Sequence, residues 1–231
     1  MISDNYAYIK NHIIEICKGI GRDPGEVTLI AVSKTKPVDA LSEAFDAGAR
    51  DFGENKVQEL TEKMDFFANA HINWHMIGHL QKNKVKYIIG RVSMIHSVDS
   101  IELLQKIDSI SKDRQVITDV LIEVNVGDEE SKFGLKLDEV EDFISSASEL
   151  SNIRIRGLMT VAPYVENPED NRILFRSLKL MLDKLKKKAQ NNAPCDVLSM
   201  GMTNDYEIAI EEGSTLVRVG TAIFGERKYF N

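Results

Sequence analysis

A lysine at the end of the first predicted strand is the residue best placed for covalent chemistry. Residues 27–33 are β-branched and aliphatic and lie between GRDPG and KTKP, which predicts a buried strand. Side chains alternate along a strand, so Ile30, Val32 and Lys34 share one face. Partial desolvation there lowers the pKa of an amine and favours its attack on a carbonyl. Lys34 is therefore the predicted Schiff-base lysine, ahead of Lys36; a lysine that only reaches solvent is the ordinary alternative.

Two segments near the C-terminus predict an anion site. They are LSMGMTND, residues 198–205, and VRVGTAIFG, residues 217–225. Small residues let backbone N–H groups approach an anion, and hydroxyl groups add further donors. The residues of these types are Ser199, Gly201, Thr203, Gly220 and Thr221. Either segment alone fits an ordinary turn, but the two together favour a phosphate site.

Arg218 stands between two valines on the last predicted strand. An arginine facing a layer of helices would be hard to solvate, so we expect Arg218 to point inward toward a ligand. A carbonyl-capturing lysine opposite a phosphate site indicates a phosphorylated aldehyde or ketone. Two classes of ligand fit: the cofactor pyridoxal 5′-phosphate (PLP), or a sugar phosphate as in Schiff-base aldolases.

Other polar residues follow the second and fifth predicted strands. Asn55 ends the sequence DFGEN, where capping of the next helix and contact with a ligand are both open. Glu123 and Asn125 share the parity of Leu121, and buried polar groups at a strand end favour a site. The following loop, residues 131–134, fits either an anion site or a solvated turn.

Three histidines four residues apart raise the question of zinc. They are His71, His75 and His79. His75 falls on a predicted strand and His79 in the following turn, so helical spacing does not apply, and the sequence has neither HExxH nor a cysteine partner. We expect no metal site.

The whole chain alternates between predicted strands and helices. The predicted strands are Val27–Ser33, Asp51–Gly53, Asn73–Ile77, Val92–His96, Val116–Val126, Ile153–Met159, Cys195–Ser199 and Leu216–Val219. The predicted helices are Ser3–Ile20, Val38–Ala47, Lys56–Asn69, Lys82–Ile89, Ile101–Lys112, Leu137–Leu150, Glu169–Lys188 and Asp205–Glu212.

Eight strand–helix units and one extra N-terminal helix fit into 231 residues. This predicts an α/β fold, a TIM (β/α)8 barrel, for which about 250 residues are typical. A doubly wound open sheet is the alternative, but it has fewer strands and a GxGxxG turn that the sequence lacks. In a barrel the residues after the strands meet at one mouth, where active sites lie.

Composition excludes several classes of function. Lysine and arginine number 29 against 36 aspartate and glutamate, a net charge of −7, which argues against a nucleic-acid partner. Cys17 and Cys195 cannot make a disulfide framework. The sequence shows no secretion signal and no run near the about 18 apolar residues of a membrane span. We expect one domain, residues 1–231, in a soluble, cytoplasmic monomer that binds neither nucleic acid nor membrane.

Seven segments in order resemble the pyridoxal phosphate homeostasis protein family. They are LIAVSKTKP, DFGENKVQE, WHMIGHLQKNK, IEVNVGDEESKFG, IRGLMTVAP, LSMGMTNDYEIAIEEGST and VRVGTAIFGER, and the match runs from about residue 27 to residue 227. The resemblance implies a barrel related to the N-terminal domain of alanine racemases. It also implies a carrier or regulator of intracellular PLP, with PLP-dependent apoenzymes as its acceptors.

The resemblance assigns roles to six residues. It implies that PLP is held covalently, as a Schiff base on Lys34, with Asn55 near that bond. Arg218 would face the pyridine nitrogen. The phosphate would be bound by Ser199, Gly220 and Thr221 with nearby main chain. Thr203, from the predicted anion site, is the further residue that we expect to bind the cofactor.

Physical chemistry favours a carrier over an enzyme. PLP stabilises carbanions when its ring nitrogen is protonated, whereas an arginine donates to that nitrogen and keeps it unprotonated. A racemase needs a second base from another domain, and only residues 224–231 follow the last strand, so we expect vestigial turnover. The rival is a PLP-dependent amino-acid racemase whose second base is Tyr164, Tyr206 or a residue of a partner subunit. An aldolase predicts a colourless protein.

Overall fold

Eight parallel strands close into a barrel in the order of the sequence, within the residues that the structure describes. The structure is a computed structural model that describes residues 1–129, 132–188 and 192–226. The strands are β1 (Thr28–Val32), β2 (Asp51–Glu54), β3 (Asn73–Met76), β4 (Met94–Val98), β5 (Thr118–Glu123), β6 (Ile153–Met159), β7 (Val197–Ser199) and β8 (Leu216–Val219). The predicted TIM barrel is confirmed.

Helices connect the strands around the outside of the barrel. They are α1 (Ile2–Gly19), α2 (Val38–Asp46), α3 (Val57–Phe66), α4 (Ile101–Asp113), α5 (Val140–Ser146), α6 (Arg172–Lys187), α7 (Tyr206–Glu211) and α8 (Thr221–Phe224). Short 3-10 helices cover Pro24–Glu26, Lys82–Tyr87, Leu137–Glu139 and Pro168–Asn171. The predicted extra N-terminal helix is α1, which packs against α2, α7 and α8. Among the helices described, none is long and apolar enough to cross a membrane.

Several element boundaries differ from those predicted. The segment after β3 is a 3-10 helix, Lys82–Tyr87, rather than an α-helix, which suits its short length. Strand β4 begins at Met94, two residues later than predicted. Strand β5 stops at Glu123 because the next residues leave the sheet: the Asn125 N–H donates to the Leu135 carbonyl. These shifts leave the order of the eight units unchanged.

The core has an inner and an outer part. Inside the barrel, six apolar side chains form one cluster: Ile30, Met94, Leu121, Met159, Val197 and Leu216. A larger cluster fills the layer between the strands and the helices. Burial of apolar surface contributes roughly 25 cal/mol per Å², so the outer layer supplies most of the stabilisation.

Strands β6 and β7 approach closely at Gly157. The register of β5 against β6 shifts between Val120 and Leu121, opposite the residues just before Gly157. Gly157 has φ +155° and pairs with Val197; a Cβ atom on it would lie 1.8 Å from the Val197 carbonyl oxygen. The barrel therefore requires glycine at position 157 for both space and backbone conformation.

We expect Gly157→Ala to lower the free energy of unfolding by at least about 2 kcal/mol, because a methyl group there must push β7 away from β6. Urea unfolding followed by circular dichroism measures the loss. Gly19→Ala is the matched control: it lies at the end of α1 with no described heavy atom within 4 Å of the added Cβ. Equal stability of the two variants would contradict the close approach.

Candidate functional site

Lys34 lies half-buried in a tight turn immediately after β1. Strand β1 pairs with β8 in a register that sets Ile30 beside Arg218. Two residues further along each strand the two segments are still in contact, since a Cβ on Gly220 would lie 3.2 Å from the Val32 carbonyl oxygen. The first and last strands thus bring the Lys34 turn next to Gly220 and Thr221, as the barrel prediction requires.

A buried ion-pair network supports the Lys34 turn. Lys63 Nζ donates to Glu54 Oε1 (2.7 Å), to Glu59 Oε1 (2.6 Å) and to the Ser33 carbonyl (2.8 Å). Ser33 Oγ donates to Glu54 Oε1 at 2.6 Å. Burial raises the pKa of Glu54, and the neighbouring Lys63 ammonium opposes that rise. The residue preceding Lys34 is therefore anchored through both its carbonyl and its side chain.

The residue following Lys34 is anchored as well. The Thr35 N–H donates to Glu59 Oε1 at 2.6 Å, and Thr35 has φ +65°, an uncommon conformation for a β-branched residue. Sequence reasoning missed this network. The available signal was Lys63 on the apolar face of α3, in line with Leu60 and Met64.

Asn55 lies just after β2 with its side-chain oxygen buried. Within the described ranges, Asn55 Oδ1 has no hydrogen-bond partner. Lys56, rather than Asn55, is the N-cap of α3. Gly78 packs against the Asn55 backbone, because a Cβ on Gly78 would lie 2.5 Å from the Asn55 carbonyl oxygen. A buried acceptor without a donor is costly, so Asn55 favours the ligand interpretation over the capping one.

The loop after β7 is folded tightly onto α7. The carboxylate of Asp205, 4% exposed, accepts from the Met202 N–H at 2.8 Å and from Asn171 Nδ2 at 2.9 Å. Gly201 has φ +91°, and a Cβ on it would lie 2.5 Å from Ala209 Cβ. These contacts hold Thr203, half-buried, at the mouth of the barrel.

The loop after β8 turns directly into the short helix α8. Gly220 is its N-cap and Thr221 its first residue, with Gly220 half-buried and Thr221 exposed. The N–H groups at the start of a helix lack acceptors within that helix. The start of α8 therefore lies beside the Lys34 turn, and the anion site expected there stays a prediction.

Arg218 points into the barrel, as predicted, and is 4% exposed. One guanidinium nitrogen donates to Ser199 Oγ at 2.6 Å and another to the Thr160 carbonyl at 2.7 Å. Burial lowers the pKa of Arg218 to about 10, while Glu123 and Asp205 oppose that change. Arg218 is thus a buried cation at neutral pH.

Ser199 is fully buried beneath Arg218. Its hydroxyl accepts from Arg218 and contacts His96 Nδ1 at 3.0 Å. Ser199 is the last residue of β7. The contact between its hydroxyl and a phosphate, which the resemblance implies, stays a prediction.

Glu123 ends β5 on the inward parity, two residues above the buried Leu121. Burial, together with the Asp99 carboxylate, raises the pKa of Glu123 to about 7, and Arg218 opposes the rise. Asn125 does not share this position: its side chain makes hydrogen bonds with the Glu129 carbonyl and N–H and closes the loop. Residue 131 of the predicted anion loop lies outside the described residues.

The three histidines of the rejected zinc motif lie apart. His71 is exposed, His75 is inside the barrel, and His79 pairs with Asp99 at 3.4 Å and stacks on Phe133. Within the described part of the chain, no three His, Cys, Asp or Glu side chains are grouped to hold a metal ion. Sequence reasoning missed the contact between His75 and His96; their inward parity on adjacent strands was the signal.

Known proteins share this fold and much of this sequence. The family model described as alanine racemase, N-terminal domain, matches residues 5–228. Alanine racemase of Clostridium difficile 630 superposes with a TM-score of 0.74 at 16% identity, over 98% of this chain and 60% of that chain. At that identity the likeness shows the fold.

Relatives of full length are more similar in sequence. The pyridoxal phosphate homeostasis protein of Aquifex aeolicus is 42% identical, with 96% of each chain covered. The protein of that name in Escherichia coli K12 is 39% identical, over 99% of this chain and 97% of the relative. PipY of Synechococcus elongatus, solved with PLP bound, has a TM-score of 0.84 and 31% identity, over 97% of this chain and 100% of PipY. The chain belongs to the alanine racemase N-terminal domain family and, within it, to the pyridoxal phosphate homeostasis proteins.

Proposed function

We propose that this protein binds PLP at the C-terminal mouth of the barrel and acts as a carrier in PLP homeostasis. The observation that carries the proposal is the β1–β8 register, which sets the Lys34 turn beside Arg218 and the Gly220–Thr221 segment. We further propose that residues 1–231 act as one cytoplasmic, monomeric domain and that PLP-dependent apoenzymes receive the cofactor.

The residues at the mouth fit the aldehyde and the phosphate of PLP. Lys34 supplies the amine that condenses with the aldehyde carbon, with loss of water, to form the Schiff base. Asn55 Oδ1, buried without a described partner, supplies an acceptor near that bond. The donors for the phosphate are the backbone at Gly220 and Thr221 and the hydroxyl of Thr203. A net charge of −7 means that these local donors, rather than a positive field, must hold the anion.

Lys36 and Lys132 are the other lysines to consider for attachment of the cofactor. Lys36 Nζ donates to the carbonyls of Phe224, Gly225 and Glu226, each at 3.0 Å. Lys132 Nζ pairs with Glu129 at 2.5 Å and reaches the Val161 carbonyl at 3.3 Å. The position of the Lys34 turn beside the Gly220–Thr221 segment supports Lys34 rather than either of them as the attachment point.

Arg218 is also the reason to propose a carrier. PLP supplies an aldehyde for amines and an electron sink for carbanions, and the sink is strongest with a protonated ring nitrogen. Arg218 stays charged near neutral pH and has only donors, so it keeps a ring nitrogen facing it unprotonated. Ser199 contributes to cofactor binding through Arg218, to which its hydroxyl is bonded.

The racemase alternative needs a second base at the mouth. Tyr206 does not meet that need, since it is buried, its hydroxyl contacts His12 Nδ1 of α1 at 2.7 Å, and burial raises its pKa to about 12. Tyr164 is 84% exposed in the loop after β6 and is the candidate that favours the alternative. Its phenol is the group to test.

We expect the protein loaded with PLP to be yellow, and borohydride reduction followed by peptide mapping to place the cofactor on Lys34. Lys34→Ala loses the adduct because the attacking amine is gone. Lys36→Arg is the matched control and keeps the adduct, since arginine retains donors for the carbonyls of residues 224–226. An adduct on Lys36 or Lys132 in the unmodified chain overturns the assignment.

Amino-acid racemisation by the PLP-loaded protein is expected to be no faster than that by free PLP at the same concentration. The physical reason is the unprotonated ring nitrogen opposite Arg218. Chiral chromatography of alanine after incubation measures the rate, with Tyr164→Phe assayed in parallel. Turnover at about 1 s⁻¹ or more that Tyr164→Phe abolishes would establish the racemase instead.

The raised pKa of Glu123 makes stability depend on pH. The pKa of Glu123 is about 7 in the fold against an ordinary value of 4.5. The stabilisation that the folded state gains from protonated Glu123 is therefore complete below pH 4.5 and is lost as pH rises through 7. Glu123→Gln removes this loss. We expect the variant to gain up to about 3 kcal/mol of unfolding free energy over the original chain between pH 5 and pH 8.

Urea unfolding without PLP at several pH values measures the Glu123 effect. The control is Glu149→Gln, which removes an exposed carboxylate by the same substitution. A pH-independent difference in stability between Glu123→Gln and the original chain would show that Glu123 does not titrate near neutrality.

A further inference from the structure

A continuous chain of hydrogen bonds runs through the barrel from Arg218 to the first residue of β2. Below Arg218 and Ser199, His96 Nε2 contacts His75 Nδ1 at 3.0 Å, and His75 Nε2 contacts Asp51 Oδ1 at 3.2 Å. Four contacts in sequence thus join Arg218, Ser199, His96, His75 and Asp51. We call these five residues the interior relay.

The interior relay crosses the core from one face of the barrel to the other. Ser199 and His96 are fully buried, and His75 and Arg218 are each 4% exposed. Asp51 begins β2 at the N-terminal face, where its side chain is 21% exposed and also accepts from Asn73 Nδ2 at 3.1 Å. The far end of the relay is therefore in contact with solvent, whereas its near end lies at the proposed cofactor site.

The positions of the protons follow from the Asp51 end. A carboxylate only accepts, so His75 Nε2 must carry a proton. The contact between His75 Nδ1 and His96 Nε2 needs one donor, and in the arrangement we infer His96 Nε2 donates and His75 Nδ1 accepts. Burial, with His75 and Arg218 nearby, lowers the pKa of His96 well below its ordinary range, so His96 is neutral. Its Nδ1 is therefore an acceptor.

The Arg218 end is compatible with the same direction. His96 Nδ1 requires a donor, which the Ser199 hydroxyl supplies. That leaves the Ser199 oxygen to accept from Arg218, which has donors only. Every hydrogen bond of the relay thus runs from the guanidinium toward the carboxylate, and both charged ends favour this one arrangement.

Such a relay is unusual as filling for a barrel. Barrel interiors are packed mainly by branched apolar side chains, and buried polar groups lower stability unless they are all satisfied. A satisfied network confers orientation, because each member fixes the next. The neighbouring apolar cluster, including Met94 in register with His75, shows the apolar packing available at this level.

We propose that His75, His96 and Asp51 are positioning residues for Arg218. They orient the Ser199 hydroxyl so that its oxygen accepts from the guanidinium, which is then held in one orientation by Ser199 and the Thr160 carbonyl. The proton arrangement stands on the protein alone. Its effect on the cofactor rests on the proposed function, in which Arg218 faces the ring nitrogen.

The first test needs no cofactor. Nitrogen NMR of the PLP-free protein labelled at histidine reports which ring nitrogens carry protons. We expect His75 and His96 both neutral, each protonated at Nε2. A proton on His96 Nδ1, or a charged His96, overturns the relay whatever the protein binds.

The second test measures PLP affinity and the absorption spectrum of the bound cofactor. We expect His96→Phe to raise Kd about tenfold and to shift the visible band, because Ser199 loses its acceptor and Arg218 its fixed orientation. His75→Phe has the same direction of effect. His75→Gln restores the original Kd and spectrum to within about twofold, since an amide provides one donor and one acceptor.

Two further variants separate positioning from packing. Met94→Leu keeps the interior filled and is expected to leave both Kd and spectrum unchanged. Asp51→Ala changes the partly exposed end of the relay and tests the positioning role even if His96→Phe does not fold. We expect it to raise the Kd for PLP about threefold. If Asp51→Ala keeps the original Kd and spectrum, the positioning role is wrong. Absence of PLP binding by the original chain would refute the proposed function, while the NMR result would still decide the relay.

Discussion

A single buried cation organises the interior of this barrel. The Arg218 guanidinium is almost completely removed from water, and an unpaired charge there would be prohibitively costly. Its solvation is replaced by Ser199 Oγ, by the Thr160 carbonyl and by the field of Glu123 and Asp205. The polar character of strands β4 to β8 at this level follows from that requirement.

Charge is distributed differently around the Lys34 turn. Beneath the Lys34 turn a second cation, Lys63, is buried with the carboxylates of Glu54 and Glu59. Burying these charges costs stability, but their hydrogen bonds hold Ser33 and Thr35 in a backbone turn in which Thr35 has a left-handed conformation. The Lys34 turn and the Arg218 guanidinium are thus fixed by separate buried networks, each of which includes a hydrogen bond to a backbone carbonyl.

The fold was predictable because it depends on the periodicity of apolar residues along the sequence. The candidate site was predictable only where a single residue type carries the chemistry. Alternating apolar runs located all eight strands, and strand parity turned Arg218 inward. The burial of Ser199, the contacts of Lys63 and the pairing of His75 with His96 join residues far apart in the sequence. Such contacts depend on register and rotamers, which a one-dimensional pattern does not contain.

The register of β1 against β8 also has a consequence for synthesis. Lys34 follows the first strand, whereas Arg218 lies on the last strand and Gly220 and Thr221 follow it, about 185 residues later. A nascent chain emerging from the ribosome has the Lys34 amine long before it has the residues of the proposed anion site. The two halves of the proposed pocket meet only when the barrel closes. A ligand that contacts both halves therefore binds only molecules whose barrel has closed, and it stabilises the pairing of β1 with β8, which joins the strands farthest apart in the sequence.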